Sequence, residues 1–125
     1  MDKILNENLP IYMQIMDKIR AAVISGELAP GAKVAAVREL AEDFGVNPNT
    51  MQRALSELER EGILISERTS GRFVTEDRSV IDTAREEAAQ KVVGDFLQKM
   101  KELGFSKGQI EDFFRGTEAE ESAAV

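Results

Sequence analysis

The stretch from Val37 to Gly62 limits this chain more than any other. One apolar-periodic segment, with Leu40, Ala41 and Phe44 on one side, stops at Gly45; a second starts at Asn47-Pro48 and stops at Gly62. Asn at an N-cap, Pro at the first helical position and Gly just past the end are common punctuation of helices. The spacing predicts a helix over Val37 to Phe44, a tight turn, and a second helix entered through Asn47. On a wheel of roughly 100° per residue, Met51, Ala54, Leu55 and Leu58 face inward on the second helix. Asn49, Gln52, Arg53, Ser56 and Arg60 face outward, while Glu57, Glu59 and Glu61 lie on the flanks toward the C-terminal end. Helix-turn-helix units of this kind lay the second helix in the major groove of DNA. Amide side chains pair with adenine edges and guanidinium groups with guanine. For an isolated helix a solvated polar face explains the same residues, so the flanking segments carry the decision.

After Gly62, the run Ile63 to Thr75 reads as a hairpin turning at Ser70-Gly71, with Ile63 and Ile65 on one face and Phe73 on the returning strand. It would form the wing of a winged-helix domain. Arg68 and Arg72 flank the turn, so a tip of Arg68, Ser70, Gly71 and Arg72 can reach phosphate or a minor groove. Upstream, Pro10 opens a helix in which Ile11, Ile15, Ile19 and Val23 recur every four residues until Gly26. Tyr12, Met13 and Met16 read as core or rim packing. Ala29-Pro30-Gly31 is a turn and Lys33-Val34 a short strand. Downstream, Ser79 and Asp82 resemble a capping box for a long helix ending near Leu103, before Gly104. Ser106 and Gln109 repeat the pattern for a short fifth helix containing Ile110, Phe113 and Phe114. The expected fold class is mainly α with a small β-hairpin (α+β). A winged helix-turn-helix DNA-binding domain occupies 1–78, a two-helix dimerisation tail 79–116, and a flexible tail 117–125.

Composition removes most chemistry. The 125 residues include no cysteine and no histidine, which excludes disulfides, thiolate chemistry, zinc fingers and Ser-His-Asp triads. Adjacent acids such as Glu86-Glu87 point to different helix faces and read as solvated surface rather than an acid/base pair. No enzyme activity, metal or cofactor is expected. No apolar run approaches the roughly 20 residues of a membrane span, and Met1-Asp-Lys-Ile begins no leader, so a cytoplasmic location without a membrane partner is expected. The net charge of -7 opposes phosphate binding at first sight. Residues 1–78 carry thirteen acids against ten bases, and 79–125 carry ten against six. Which face holds each charge therefore decides. The acidity keeps one alternative open: a winged-helix module that binds protein instead of DNA.

A tail of about 40 residues buries too little surface to fold alone. Its stripe of Ile81, Ala84, Ala88, Val92, Phe96, Met100, Ile110, Phe113 and Phe114 predicts pairing with the same region of a second chain, docking back onto the winged helix being the plainer option. A homodimer would read two half-sites of a palindromic double-stranded operator about one helical turn apart. An unidentified small-molecule effector held among Phe96, Phe105, Phe113 and Phe114 is a secondary expectation, with core packing preferred for these rings.

The motifs match a known family. Pro10-Ile-Tyr-Met-Gln-Ile, Gly26-Glu-Leu-Ala-Pro-Gly31, Arg38-Glu-Leu-Ala41, Val46-Asn-Pro-Asn-Thr50, Arg53-Ala-Leu, Leu58-Glu-Arg-Glu-Gly62-Ile-Leu and Ser70-Gly-Arg-Phe-Val74 span nearly all of residues 1–78. The chain resembles the GntR family of bacterial transcription regulators, specifically its short YtrA-like members. The resemblance implies DNA contacts from Arg38, from Asn47, Asn49, Thr50, Gln52 and Arg53, and from Gly71 at the wing tip. It also implies a repressor, often of a transporter operon that includes its own gene. One departure stands out. Where the family commonly has Leu-Pro-Ser before Arg-Glu-Leu-Ala, this chain has Val34-Ala35-Ala36. The missing serine oxygen costs the second helix its cap, about 1 kcal/mol, and removes a phosphate contact. Weaker or more salt-sensitive DNA binding than in a typical member follows as an expectation.

Overall fold

The computed structural model describes residues 8–124, with side chains as far as Thr117. The first seven residues of the expected N-terminal domain, and Val125, lie outside the described residues. Among those described are α1 (Ile11–Ser25), α2 (Val37–Phe44), α3 (Pro48–Arg60), β1 (Leu64–Glu67), β2 (Gly71–Val74), α4 (Arg78–Glu102) and α5 (Lys107–Ala124). The chain divides into two compact units, Met1–Glu86 and Glu87–Val125.

In the first unit α1 and α2 both pack on α3. Ile15, Ile19 and Val23 of α1, Ala41 of α2, and Met51, Ala54, Leu55 and Leu58 of α3 form one buried cluster with Leu64 and Val74 of the hairpin. Full burial of each large aliphatic side chain stabilises by roughly 1.5–3 kcal/mol. Arg20 on α1 ties this packing down from outside, donating from Nη2 to both carboxylate oxygens of Glu61 at 2.7 and 2.9 Å.

The hairpin is antiparallel and pairs Leu64 with Val74, Ile65 with Phe73, Ser66 with Arg72 and Glu67 with Gly71. Ile65 and Phe73 share a face, as expected, and the buried side is the opposite one. Leu64 and Val74 are the buried pair, while Ile65 is 45% exposed. Ile63 is buried as well, but it precedes the strand and is inserted from the chain leaving α3. Because side chains alternate, shifting the strand start by one residue exchanges its faces. Lys33 forms a bridge to Phe73, and Val34 N–H donates to the Arg72 carbonyl at 2.9 Å, so the expected short strand exists as an edge on β2.

The cap of α4 also differs from expectation. Asp77, not Ser79, closes the helix: its Oδ1 accepts from the Ser79 N–H at 3.0 Å and the Ser79 hydroxyl at 2.7 Å. The helix starts at Arg78, so Ser79 lies inside the first turn, where its own N–H is an orphan donor that Asp77 takes along with its hydroxyl. These two bonds hold the Asp77 carboxyl below its ordinary value, with burial opposing weakly and the Val80 N–H assisting. The Ser106–Gln109 box at α5 forms as expected, with Ser106 N–H donating to Gln109 Oε1 at 2.9 Å and Gln109 N–H to Ser106 Oγ at 3.3 Å. α5 then continues to Ala124 instead of giving way to a flexible tail at 117. Thr117-Glu-Ala-Glu-Glu-Ser-Ala-Ala contains no glycine or proline and is rich in strong helix formers.

Candidate nucleic-acid interface

The second helix of the helix-turn-helix stands on a base with no solvent contact: Met51, Ala54, Leu55 and Leu58 are each 0% exposed. That anchoring forces Asn49, Gln52, Arg53, Ser56 and Arg60 outward, and all five are exposed; Thr50 is half-buried beside them. At the entry to α3, Asn47 Oδ1 accepts the Asn49 N–H at 2.7 Å with Pro48 at the first helical position. The cap engages the oxygen of Asn47 and leaves its amide nitrogen to donate. Gln52 Nε2 donates to Ser56 Oγ at 3.1 Å, one turn along the helix. The bond uses one of the two Nε2 hydrogens and leaves the other, with Oε1, for an adenine edge.

The three acids flanking the outer face of α3 are paired within the chain. Glu57 pairs with Arg60 at 3.5 Å and Glu61 with Arg20 at 2.7 Å. Glu59 takes a hydrogen bond from Arg72 Nε and a second from the Ser66 hydroxyl at 2.7 Å. Burial would raise the Glu59 carboxyl, but these bonds and the Arg72 charge hold it below its ordinary value. Arg72 is consequently a strap between wing and α3, not the wing-tip contact expected from sequence. Residues 64, 66, 72 and 74 share the strand face that turns toward α3, which points Arg72 at Glu59. Arg68 and Ser70 do occupy the exposed loop, and Gly71 follows with φ +102°, the left-handed side of the map that lets a three-residue loop close.

Arg38 is exposed in the first turn of α2, and neither it nor Arg68 makes an ion pair among the described residues. Ala36 occupies the N-cap of α2 without a side-chain bond, as the Val34-Ala35-Ala36 departure predicts. Sequence reading missed one contact at this site. The Arg53 guanidinium lies over the ring of Tyr12 on α1, its Cζ 3.8 Å from the centroid. Tyr12 had read as packing; helical spacing within α1 carries no signal of a residue 41 positions away.

The fold that carries this ridge and short wing is matched in known proteins. The family described as bacterial regulatory proteins, gntR family, matches residues 11–74. The chain belongs to the GntR family. It falls among the short YtrA-like members and is a DNA-binding transcription regulator, not an enzyme. It is 40% identical to the uncharacterized HTH-type transcriptional regulator YhcF of Bacillus subtilis, over 88% of this chain and 91% of that one. It spans about half the length of other curated relatives, the YtrA repressor of Bacillus subtilis among them. A GntR family transcriptional regulator from Listeria monocytogenes superposes with a TM-score of 0.79 at 34% identity, covering 90% of this chain and 98% of that one. The AraR DNA-binding domain, solved in complex with operator ORX1, superposes with a TM-score of 0.52 at 32% identity, covering 60% of this chain and 92% of AraR's.

The expected interface stripe divides. Ile81 and Ala84 are buried at 3% and 6% exposure in the core of the first unit, so they are not available to a partner chain. Arg85, one residue further, donates to the Ile24 carbonyl at 3.2 Å and fastens this turn of α4 to the end of α1. The first compact unit extends to Glu86, past the expected boundary at 78. Ile110 is also buried, at 4%. In the second unit Val92 is 68% exposed and Phe113 and Phe114 are 54% exposed, while Ala88 is exposed and Phe96 and Met100 are half-buried. The four rings expected to share a cavity form two pairs: Phe96 with Phe114 at 5.6 Å and Phe105 with Phe113 at 5.4 Å. The second pair borders a hollow of about 480 Å³ with Gln109, Asp112, Gly116 and Thr117. Among the described residues no helix is long and apolar enough to cross a membrane, and no carboxylate group is placed to hold a metal ion.

Proposed function

We propose that this GntR regulator is a cytoplasmic homodimeric repressor that reads a palindromic operator, its target an operon encoding a transporter. The observation that carries the reading is the ridge of α3, exposed along Asn49, Gln52, Arg53 and Ser56 over a base of fully buried residues. Base edges would be met by Asn49, Gln52 and Arg53. Thr50, Arg38 and the Asn47 amide would meet phosphate or flanking bases, and the loop of Arg68 and Ser70 with Gly71 would approach the minor groove. AraR's structure with its operator supports the docking of such a domain on duplex DNA. YtrA and NagR, both named repressors, support the sign of regulation.

Dimerisation would use the second unit, through Ala88, Val92, Phe96, Met100, Phe113 and Phe114. The support is the quantity of apolar surface there: Leu103 is 71% exposed and Val93 53%, beside the residues already named. Water-exposed apolar side chains on two adjoining helices mark an interaction surface. A bound dimer would block polymerase by occupying the promoter. The test is a mobility-shift titration with the duplex upstream of the protein's own gene at two salt concentrations, alongside sedimentation equilibrium. A dimer whose affinity falls steeply with salt supports the reading. A stable monomer, or no preference for that duplex over random sequence, overturns it.

A further inference from the structure

We infer that Tyr12 is a positioning residue for base readout: its ring holds the Arg53 guanidinium flat and pre-oriented, and so sets a guanine preference in the operator. The inference rests on the proposed role of Arg53 and adds to it a residue from a different helix. An exposed arginine ordinarily samples many rotamers, and ordering it on DNA opposes binding. Here the guanidinium Cζ stands 3.8 Å from the ring centroid. Tyr12 is itself half-buried and packed against the core cluster that carries α3, so the platform is rigid. A cation seated on an aromatic face has that face covered, while its in-plane N–H edge stays open. That edge is what meets guanine O6 and N7 as a bidentate pair. The charge is also unspent. Arg20, Arg60 and Arg72 each pair with a carboxylate, whereas Arg53 has no ion pair among the described residues.

The experiment begins by selecting a consensus duplex from a randomised library with the full wild-type chain. Arg53→Ala, Tyr12→Phe and Tyr12→Leu are then measured against that duplex, against its single-base variants, and against random duplex. Arg53→Ala is expected to abolish discrimination at one guanine per half-site. Tyr12→Leu is expected to reduce that same discrimination about threefold to tenfold, with random-duplex affinity and melting temperature unchanged. Tyr12→Phe, which keeps the ring, is expected to retain it. Tyr12 is the only tyrosine and tryptophan is absent, so tyrosine emission of the free protein reports this ring, and Arg53→Ala must alter it. If Arg53→Ala relaxes a guanine and Tyr12→Leu does not, the Tyr12 inference fails and the reading of Arg53 stands. A uniform loss of affinity in Tyr12→Leu, in step with lost melting temperature, assigns Tyr12 to packing and also overturns the inference. If Arg53→Ala changes no base preference, both fail.

Discussion

α3 and the helices of the second unit carry the same kind of sequence signal and meet opposite fates. Met51, Ala54, Leu55 and Leu58 recur at threes and fours and are sealed at 0% exposure. Val92, Phe113 and Phe114 belong to stripes of the same period and stand more than half exposed. Apolar periodicity states that a helix has a face to cover; it does not state what covers it. In the first unit the cover is supplied within the chain by α1, α2 and the hairpin, and the polar ridge is displayed as a result. In the second unit the apolar face is itself what is displayed.

The sharpest way to break this contrast is to empty the sealed face. Leu55→Ala removes a side chain that is 0% exposed and should cost about 2–5 kcal/mol, read as a lower urea midpoint at unchanged slope. A loss under about 1 kcal/mol would mean that α3 is not seated as described. The matching change in the second unit, Phe113→Lys with Phe114→Lys, should leave the unfolding of the first unit intact. It should convert dimer to monomer in sedimentation, with operator affinity falling about a hundredfold or more as the second half-site becomes an independent event. Dimers that persist would show that the displayed face is not the interface.

The wing strap offers a smaller effect with a definite pH signature. Glu59→Gln should destabilise by about 1 kcal/mol at neutral pH, discounted for a pair that is partly open to solvent. The folded Glu59 carboxyl lies below its ordinary 4.5, so its contribution is fully present above that value and fades as pH falls through the lower folded value. Thermal melts of wild type and Glu59→Gln should therefore converge on acidification below pH 4.5. Parallel curves would show that the strap contributes nothing. The smallest change restores the missing cap: Ala36→Ser should raise the melting temperature by a few degrees, about 1 kcal/mol, and tighten operator binding. An unchanged melting temperature and affinity would remove the significance of Ala36.

Much of this was legible because local rules decided it. Asn47, Pro48 and Gly62 punctuate α3 by their own backbone preferences, and Ser106 with Gln109 caps α5 through contacts three residues apart. The errors share a cause. Ser79 lost its capping role because α4 begins at Arg78, which puts Ser79 inside the first turn, and Ile63 does not share the face of Ile65 because it precedes the strand. Ile81 and Ala84 were assigned to a partner because a stripe does not reveal where its first turn finds shelter. Arg72 read as a DNA contact until its position on the α3-facing side of the wing brought it to Glu59.

By itself the chain's order of residues determined which segments become helices, where the first three stop, and that a polar ridge must oppose a buried one on α3. Those outcomes depend on backbone preference and on periodicity within a few turns. Folding in three dimensions decided the charge economy and the platform under Arg53. Each of Glu59–Arg72, Glu61–Arg20 and Tyr12–Arg53 joins residues from different elements, at distances that no local spacing encodes. Arg53 stays without an ion pair among the described residues because the acids flanking α3 meet Arg20, Arg60 and Arg72 instead.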